Sequence, residues 1–390
     1  MSPDEHLKPG TIAIRAGRAA SGSSMAPALW ASSVWESTCM DDAHQRATSF
    51  RAEEFYGRFG NPTVRSFEQA VAELEGAEDA MAFGSGMGAI ASTVLALCSA
   101  GDHIVAARQL YAGTLAFLQG PCARFDIETT LVDGTTPGAL AAAVQPGRTT
   151  IVIAETPSNP VLELVDLDEL GAIIGPFTVV DSTFATPLGQ QPLAHGIDLV
   201  IHSATKGIAG HNDATLGVVA GEKDLIDAIW SYAVLHGATA SPFDALNALR
   251  GIRTMSVRTN HQAATALRLS EWLERHPAVS RVHYPGLTSH RQHDLAKRQM
   301  RQFGTVLAFE VSGGREAVRS LLAAIRLARC ATSLGGPETL ICHPATTTHA
   351  SLTGEEQIEM GVTEGLVRVS IGLEDPDDII ADFTRALAAS

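Results

Sequence analysis

The stretch His202-Ser203-Ala204-Thr205-Lys206-Gly207, entered from Asp198-Leu199-Val200-Ile201 and left through Gly210-His211-Asn212-Asp213, is a short apolar run ending in two hydroxyls and a lysine. It predicts a buried strand whose end sets an amine beside anion-binding groups. A lysine amine kept partly deprotonated by its surroundings condenses with a carbonyl cofactor, and Ser203 and Thr205 stand where they can bind a cofactor phosphate. Pyridoxal phosphate is the candidate. A surface lysine after a strand accounts for the same letters, so the flanking segments must choose.

Around this stretch strand-like segments (149–154, 177–181, 198–202 and 215–220) alternate with helix-like ones such as 166–174. That alternation predicts an α/β layered domain with a largely parallel sheet and ligands at the carboxyl ends of its strands. Glu155-Thr156-Pro157-Ser158-Asn159-Pro160 follows one strand, and Asp181-Ser182-Thr183 ends the next. An aspartate closing the buried run Val179-Val180 is costly without a partner. A pyridinium N–H is the partner this cofactor supplies, and by holding that nitrogen protonated Asp181 would keep the ring an electron sink.

Upstream, Ala82-Phe83-Gly84-Ser85-Gly86-Met87-Gly88-Ala89 opens an apolar helix to about residue 98. A glycine-rich turn feeding a helix aims free N–H groups at an anion. The same letters fit the dinucleotide fingerprint Gly-x-Gly-x-x-Ala, but Arg108 stands where a ribose-binding acid is expected. Earlier still, Phe55-Tyr56-Gly57-Arg58-Phe59-Gly60-Asn61-Pro62-Thr63 joins aromatic and cationic groups to a turn, with Thr63 as N-cap of a helix over 64–74. Arg58 is a solvated charge or a phosphate clamp; spacing does not choose. Residues 1–50 show no sustained period and read as an extended arm.

Beyond about residue 245 a long helical stretch, then strand-like 304–311 and 366–371 around helical 316–327, predict a second, α+β domain. The expected division is an arm over 1–50, a cofactor-binding α/β domain over 51–245 and the α+β domain over 246–390. Arg368 sits in an apolar alternating run, where an unpaired charge is expensive, so either a ligand carboxylate or an internal salt bridge is expected.

A net charge of -15 argues against nucleic acid or an anionic membrane as partner, leaving small-molecule chemistry. Five scattered cysteines without Cys-x-x-Cys read as reduced thiols, and residues 1–10 lack the apolar core of a secretory signal; both predict a cytoplasmic protein. Fourteen histidines show no metal-ligand spacing, so no metal is expected.

Together these motifs resemble the pyridoxal-phosphate enzymes of cysteine and methionine metabolism, which include cystathionine γ-lyase, methionine γ-lyase, cystathionine γ-synthase and the O-acylhomoserine sulfhydrylases. The similarity runs from about Thr11 onward through Tyr56-x-Arg58, Gly60-Asn61-Pro62-Thr63, Ser85-Gly86-Met87, Leu110-Tyr111, the segment from Glu155 to Pro160, Asp181-x-Thr183-Phe184, Ser203-Ala204-Thr205-Lys206, Ser333-Leu334-Gly335 and Leu366-Val367-Arg368. It implies the aminotransferase-like type I fold, a large α/β domain with a smaller C-terminal α+β domain, and a homotetramer built as a dimer of dimers. Lys206 would carry pyridoxal 5'-phosphate and later shuttle protons. Ser85, Gly86, Met87, Ser203 and Thr205 would bind the phosphate, completed by Tyr56 and Arg58 of a neighbouring subunit. Tyr111 would stack on the ring and assist proton transfer, Asp181 would hold the ring nitrogen, and Thr183 and Asn159 would complete the cofactor site. Asn159, Ser333 and Arg368 would orient the substrate, Arg368 through its α-carboxylate.

The resemblance implies γ-elimination from a γ-substituted, sulfur-containing L-amino acid, giving a 2-oxo acid and ammonia, with γ-replacement as the alternative. A non-catalytic binding or regulatory protein has no need for Lys206, Asp181, Tyr111 and Arg368 together, and a nicotinamide oxidoreductase leaves Lys206 and Asp181 idle. The departures are Gly207 for a common aromatic, Ser182 for asparagine, Thr347 for methionine, Gly113 for the cysteine of methionine γ-lyases and Thr332 for the glutamate of many cystathionine enzymes. They fall around the distal end of the substrate, so the leaving group, the acceptor and the pathway stay open.

Overall fold

The structure, a computed structural model, describes residues 7–18 and 23–389. Strands β1 (Asp79–Phe83), β2 (His103–Ala107), β3 (Glu128–Val132), β4 (Thr149–Glu155), β5 (Phe177–Asp181), β6 (Leu199–His202) and β7 (Gly217–Gly221) form one sheet in the order β1-β7-β6-β5-β4-β2-β3. From β3 through β2, β4 and β5 to β6 neighbouring strands pair in parallel, as the alternating sequence pattern predicts. The exception is β7, antiparallel to both β6 and β1. Its cause is local: the connection from β6 carries the lysine segment and no crossover helix, so the chain turns back instead of returning to start a parallel strand.

Both faces of the sheet are covered, which is why its central strands are apolar without alternation. On one face Phe83, Ile104, Ile153, Val179 and Ile201 pack against the helix Gly86–Leu97; on the other Ala82, Val200 and Val218 pack against the helix Pro62–Glu75. The arm contributes to this second core, since Ala13 and Ala16, at and just after the short helix Pro9–Arg15, are buried in it.

A second sheet, β10-β11-β12-β9-β8, comprises β8 (Val279–His283), β9 (Val306–Val311), β10 (Arg329–Cys330), β11 (Leu340–Cys342) and β12 (Leu366–Ser370). It is antiparallel apart from the β10/β11 pair. The helix Pro242–Glu274 joins the two cores: Ala245 to Met255 pack under the large sheet, Ala266 to Leu273 under the small one. At 33 residues it is roughly 50 Å long, a spine that fixes the sheets relative to each other. No helix among the described residues is long and apolar enough to cross a membrane.

Two local expectations are corrected. Asn61, not Thr63, caps the helix Pro62–Glu75: its side chain accepts from the amides of Thr63 and Val64, and Pro62 takes the first helical position, where no N–H is needed. The Thr63 hydroxyl instead donates to the Ala28 carbonyl, tying down the arm. The helix expected over 166–174 spans Leu167–Gly171, with Asp166 as its cap.

Candidate active site

The carboxyl ends of β4, β5 and β6, the first turn of Gly86–Leu97 and the edge of the small sheet enclose a cavity of about 490 Å³. Of the residues expected at the site, Ser85, Gly86, Met87, Tyr111, Asn159, Asp181, Thr183, Ser203, Thr205, Lys206, Ser333 and Arg368 all line it.

The end expected to take a phosphate is built from backbone. Ser85 caps the helix by accepting from the Gly88 amide, which leaves the first-turn N–H groups as donors at the positive end of a 12-residue helix. Gly86 is required there: a Cβ would sit 2.8 Å from Ser203 Cβ. Thr205 is less free than its spacing suggests, since its hydroxyl donates to the Leu216 carbonyl (3.1 Å) and accepts from the Leu216 amide (2.8 Å).

At the far end, Asp181 Oδ1 accepts from the Thr183 hydroxyl at 2.5 Å and the Thr183 amide at 3.0 Å. The Thr183 oxygen in turn accepts from the Ser203 amide at 2.8 Å, joining the ends of β5 and β6. Burial pushes Asp181 above the usual carboxylate range, while the Thr183 donors pull it down. A buried carboxylate in that balance is suited to a cationic N–H from outside the chain.

Lys206 Nζ lies between these ends and donates to Ser333 Oγ at 3.0 Å. Desolvation lowers its pKa from 10.5, helped by the positive charge of Arg368, which favours the neutral, nucleophilic amine. Arg368, 3% exposed, donates to Asn159 Oδ1 and to the Ser333 carbonyl, both at 2.9 Å. These are neutral acceptors, so the internal salt bridge weighed from sequence is not its role here, and the guanidinium keeps donors for a ligand carboxylate. Ser333 holds a positive φ of 85°, a strained backbone for a residue with a side chain, at the point where it meets both Lys206 and Arg368.

Glu155 is the site residue that sequence reasoning passed over. It ends β4 in register with Asp181, and its carboxylate accepts from the amides of Tyr111 (2.6 Å) and Asn159 (2.9 Å), holding both in place. Burial, then the charge of Asp181, pushes its pKa well up. Its signal was available: a strand-end acid opening a quoted motif. Tyr111 lies over Gly113, where a Cβ would come within 2.5 Å of the ring, so glycine frees the space the phenol occupies. Thr332 and Thr347, noted as departures, do line the cavity, as do Ile90, Leu334 and Thr348.

Tyr56 and Arg58 are not brought to this cavity. Arg58 donates to the Val234 carbonyl at 2.7 Å and lies 4.8 Å from the Phe59 ring centre, and Tyr56 is 44% exposed. A cavity with helix N–H donors, a desolvated lysine and a buried strand-end aspartate fits pyridoxal phosphate by the chemistry of its donor set.

Comparison with known proteins agrees. The chain is 42% identical over 383 residues to an O-succinylhomoserine sulfhydrylase of Pseudomonas aeruginosa, covering 97% of this chain and 95% of that one. It is 43% identical over 356 residues to an L-methionine gamma-lyase of Fusobacterium nucleatum, covering 89% and 90%. The solved structure of a cystathionine gamma synthase from Xanthomonas oryzae, in complex with aminoacrylate and cysteine, superimposes with a TM-score of 0.92 at 36% identity over 98% of each chain. Sequence and geometry therefore converge, and with residues 10–388 matching the family throughout, the chain belongs to the Cys/Met metabolism PLP-dependent enzymes.

Proposed function

We propose that the enzyme catalyses γ-elimination on a γ-substituted, sulfur-containing L-amino acid, releasing a 2-oxo acid and ammonia. The observation that carries this is Arg368, a buried cation without a carboxylate partner among the described residues, in one cavity with the desolvated amine of Lys206. Lys206 would hold the cofactor, first-turn amides and Ser203 its phosphate, and Asp181 its ring nitrogen. When bound, pyridoxal phosphate supplies an electron sink that acidifies the α-carbon and then the β-carbon of an amino acid.

Arg368 and Asn159 orient the substrate through its α-carboxylate. A γ-substituent leaves only after protons have gone from both carbons, so one mobile base must reach both, and the flexible Lys206 amine is suited to that. Tyr111 serves as the acid for the departing atom. Turnover in deuterated water tests this: deuterium is expected at both the α- and β-carbons of the recovered amino acid, and at the β-carbon of the 2-oxo acid, whose α-carbon has become the carbonyl. Exchange confined to the α-carbon, with transamination or β-elimination as the only products across γ-substituted amino acids, would falsify it.

The similarity to a sulfhydrylase and a γ-synthase supports a second reading, in which a nucleophile takes the place of the departed γ-substituent. Product analysis with and without an added thiol separates the two. We further infer a cytoplasmic homotetramer, two dimers with Tyr56 and Arg58 completing the neighbouring subunit's phosphate site. The exposure of Tyr56 and the distance of both residues from their own cavity support this. Lys206→Ala and Arg58→Ala, each inactive alone, should recover activity on subunit exchange, because one site of the mixed dimer regains both residues. No recovery despite confirmed exchange tells against sharing.

A further inference from the structure

Two ionisable side chains buried beneath the cavity floor have no part in the mechanism above. His202 ends β6 and is 1% exposed; Glu75 ends the helix Pro62–Glu75 and is 2% exposed. Their Nε2 and Oε1 atoms are 2.7 Å apart. His202 Nδ1 and Glu75 Oε2, the remaining polar atoms, have no hydrogen-bond partner among the described residues.

Strand alternation shows where the pair sits. Ile201 belongs to the core on the cavity side, in register with Asp181, whereas Val200 belongs to the opposite core with Phe67, Val71 and Leu74 of the helix. His202 shares the face of Val200, so its imidazole points away from the cavity onto the helix. Neither side chain lines the cavity.

Stability does not account for the pair. Apolar side chains of similar volume fill such a place as well or better, and a carboxylate at the last residue of a helix faces the negative end of its dipole. Position accounts for it. The residue after His202 is Ser203, whose amide donates to the Thr183 oxygen, whose hydroxyl donates to Asp181. The Ser203 carbonyl accepts from the Lys206 amide at 3.0 Å, closing the turn that carries the lysine. The imidazole is therefore anchored one residue before the chain commits its bonds to both Asp181 and Lys206. Its positive charge, when protonated, also opposes the rise that burial imposes on Asp181.

We propose that His202 and Glu75 form a positioning pair, clamping the end of β6 to the helix Pro62–Glu75 so that Ser203, Thr183 and Lys206 are held in register for the cofactor. The proposal rests on Lys206 as the cofactor-bearing residue, which borohydride reduction of the wild-type holoenzyme and peptide mapping test independently. An unlabelled Lys206 overturns that reading.

With Lys206 labelled, His202→Met decides the proposal. Cofactor titration of the apoprotein should show affinity weakened about tenfold. The holoenzyme should lose about 10²-fold in kcat with KM within about threefold, since small misplacements of reacting groups carry penalties of that size. The apoprotein should melt below wild type, because this single change strands the Glu75 carboxylate in the core, whereas His202→Met and Glu75→Met together should melt no lower than wild type. His202→Gln, whose amide N–H can still reach Glu75, should recover to within about threefold of wild type. A lowered apoprotein melting temperature with unchanged kcat and cofactor affinity makes the pair a structural plug and overturns the proposal. Should His202→Met fail to fold, Glu75→Met removes the same bond from the other side and carries the same expectations; failure of both to fold also overturns it.

Discussion

The two walls of the cavity are made differently. The wall proposed to hold the cofactor consists of strand ends and a helix N-terminus of the large sheet, where Ser85, Asp181, Thr183 and Ser203 are tied to one another or to backbone. The substrate wall consists of loops and one strand attached to the small sheet. There Thr332 and Thr347 are exposed, Ser333 is held at positive φ, and Arg368 projects from β12. The walls meet through Lys206 on Ser333 and Arg368 on Asn159. The difference teaches a division of labour. Groups proposed to hold the cofactor rest on the sheet, whereas Thr332 and Thr347 sit on loops that can change without disturbing it.

Substitutions sort by wall. Lys206→Ala should be the most severe, lowering kcat by about 10⁴-fold while circular dichroism and melting show an intact fold, because attachment and proton transfer are lost together. Near-native turnover would remove the proposed mechanism. Asp181→Ala should cost about 10²- to 10³-fold in kcat even at saturating cofactor, as the electron sink is weakened. If saturation restores full activity, Asp181 is only a binding group. On the other wall, Arg368→Lys should raise KM by about tenfold to 10²-fold with cofactor affinity unchanged, because a point charge replaces a fork shared among Asn159, Ser333 and the substrate. A matching loss of cofactor affinity would show that the walls are not independent.

The cofactor wall was legible because its residues sit in short contiguous motifs at strand ends, where local pattern and chemistry coincide. Glu155 stands inside a legible motif, but its role lies in the Tyr111 and Asn159 amides, the first 44 residues away. The His202–Glu75 contact, across 127 residues, has no local signature at all. The parallel sheet followed from alternation, but the reversal of β7 depends on a missing crossover helix, which residue pattern marks poorly. The cap at Asn61 rather than Thr63 turned on Pro62 occupying the first helical position. Tyr56 and Arg58 lie outside their own chain's cavity, which fits the role proposed for them at a neighbouring subunit's site.

The smallest expected effect probes the junction of the walls in the apoprotein. Burial and Arg368 hold the Lys206 amine below its ordinary pKa of 10.5, so folding disfavours its protonated form. Between the lowered folded value and 10.5 the unfolded chain binds more protons at this group than the native one, and stability therefore rises with pH. Below the folded value both states are protonated and the full penalty remains; above 10.5 both are neutral and it is gone. Lys206→Met removes the titrating group and keeps much of the apolar stem. The variant apoprotein should melt above wild type by a few degrees at neutral pH, and the gap should close as pH rises toward 10.5. Differential scanning of both proteins across that range checks the sign. A gap that stays constant with pH would mean that packing, not charge, separates the two, and that the amine is ordinarily solvated in the empty site.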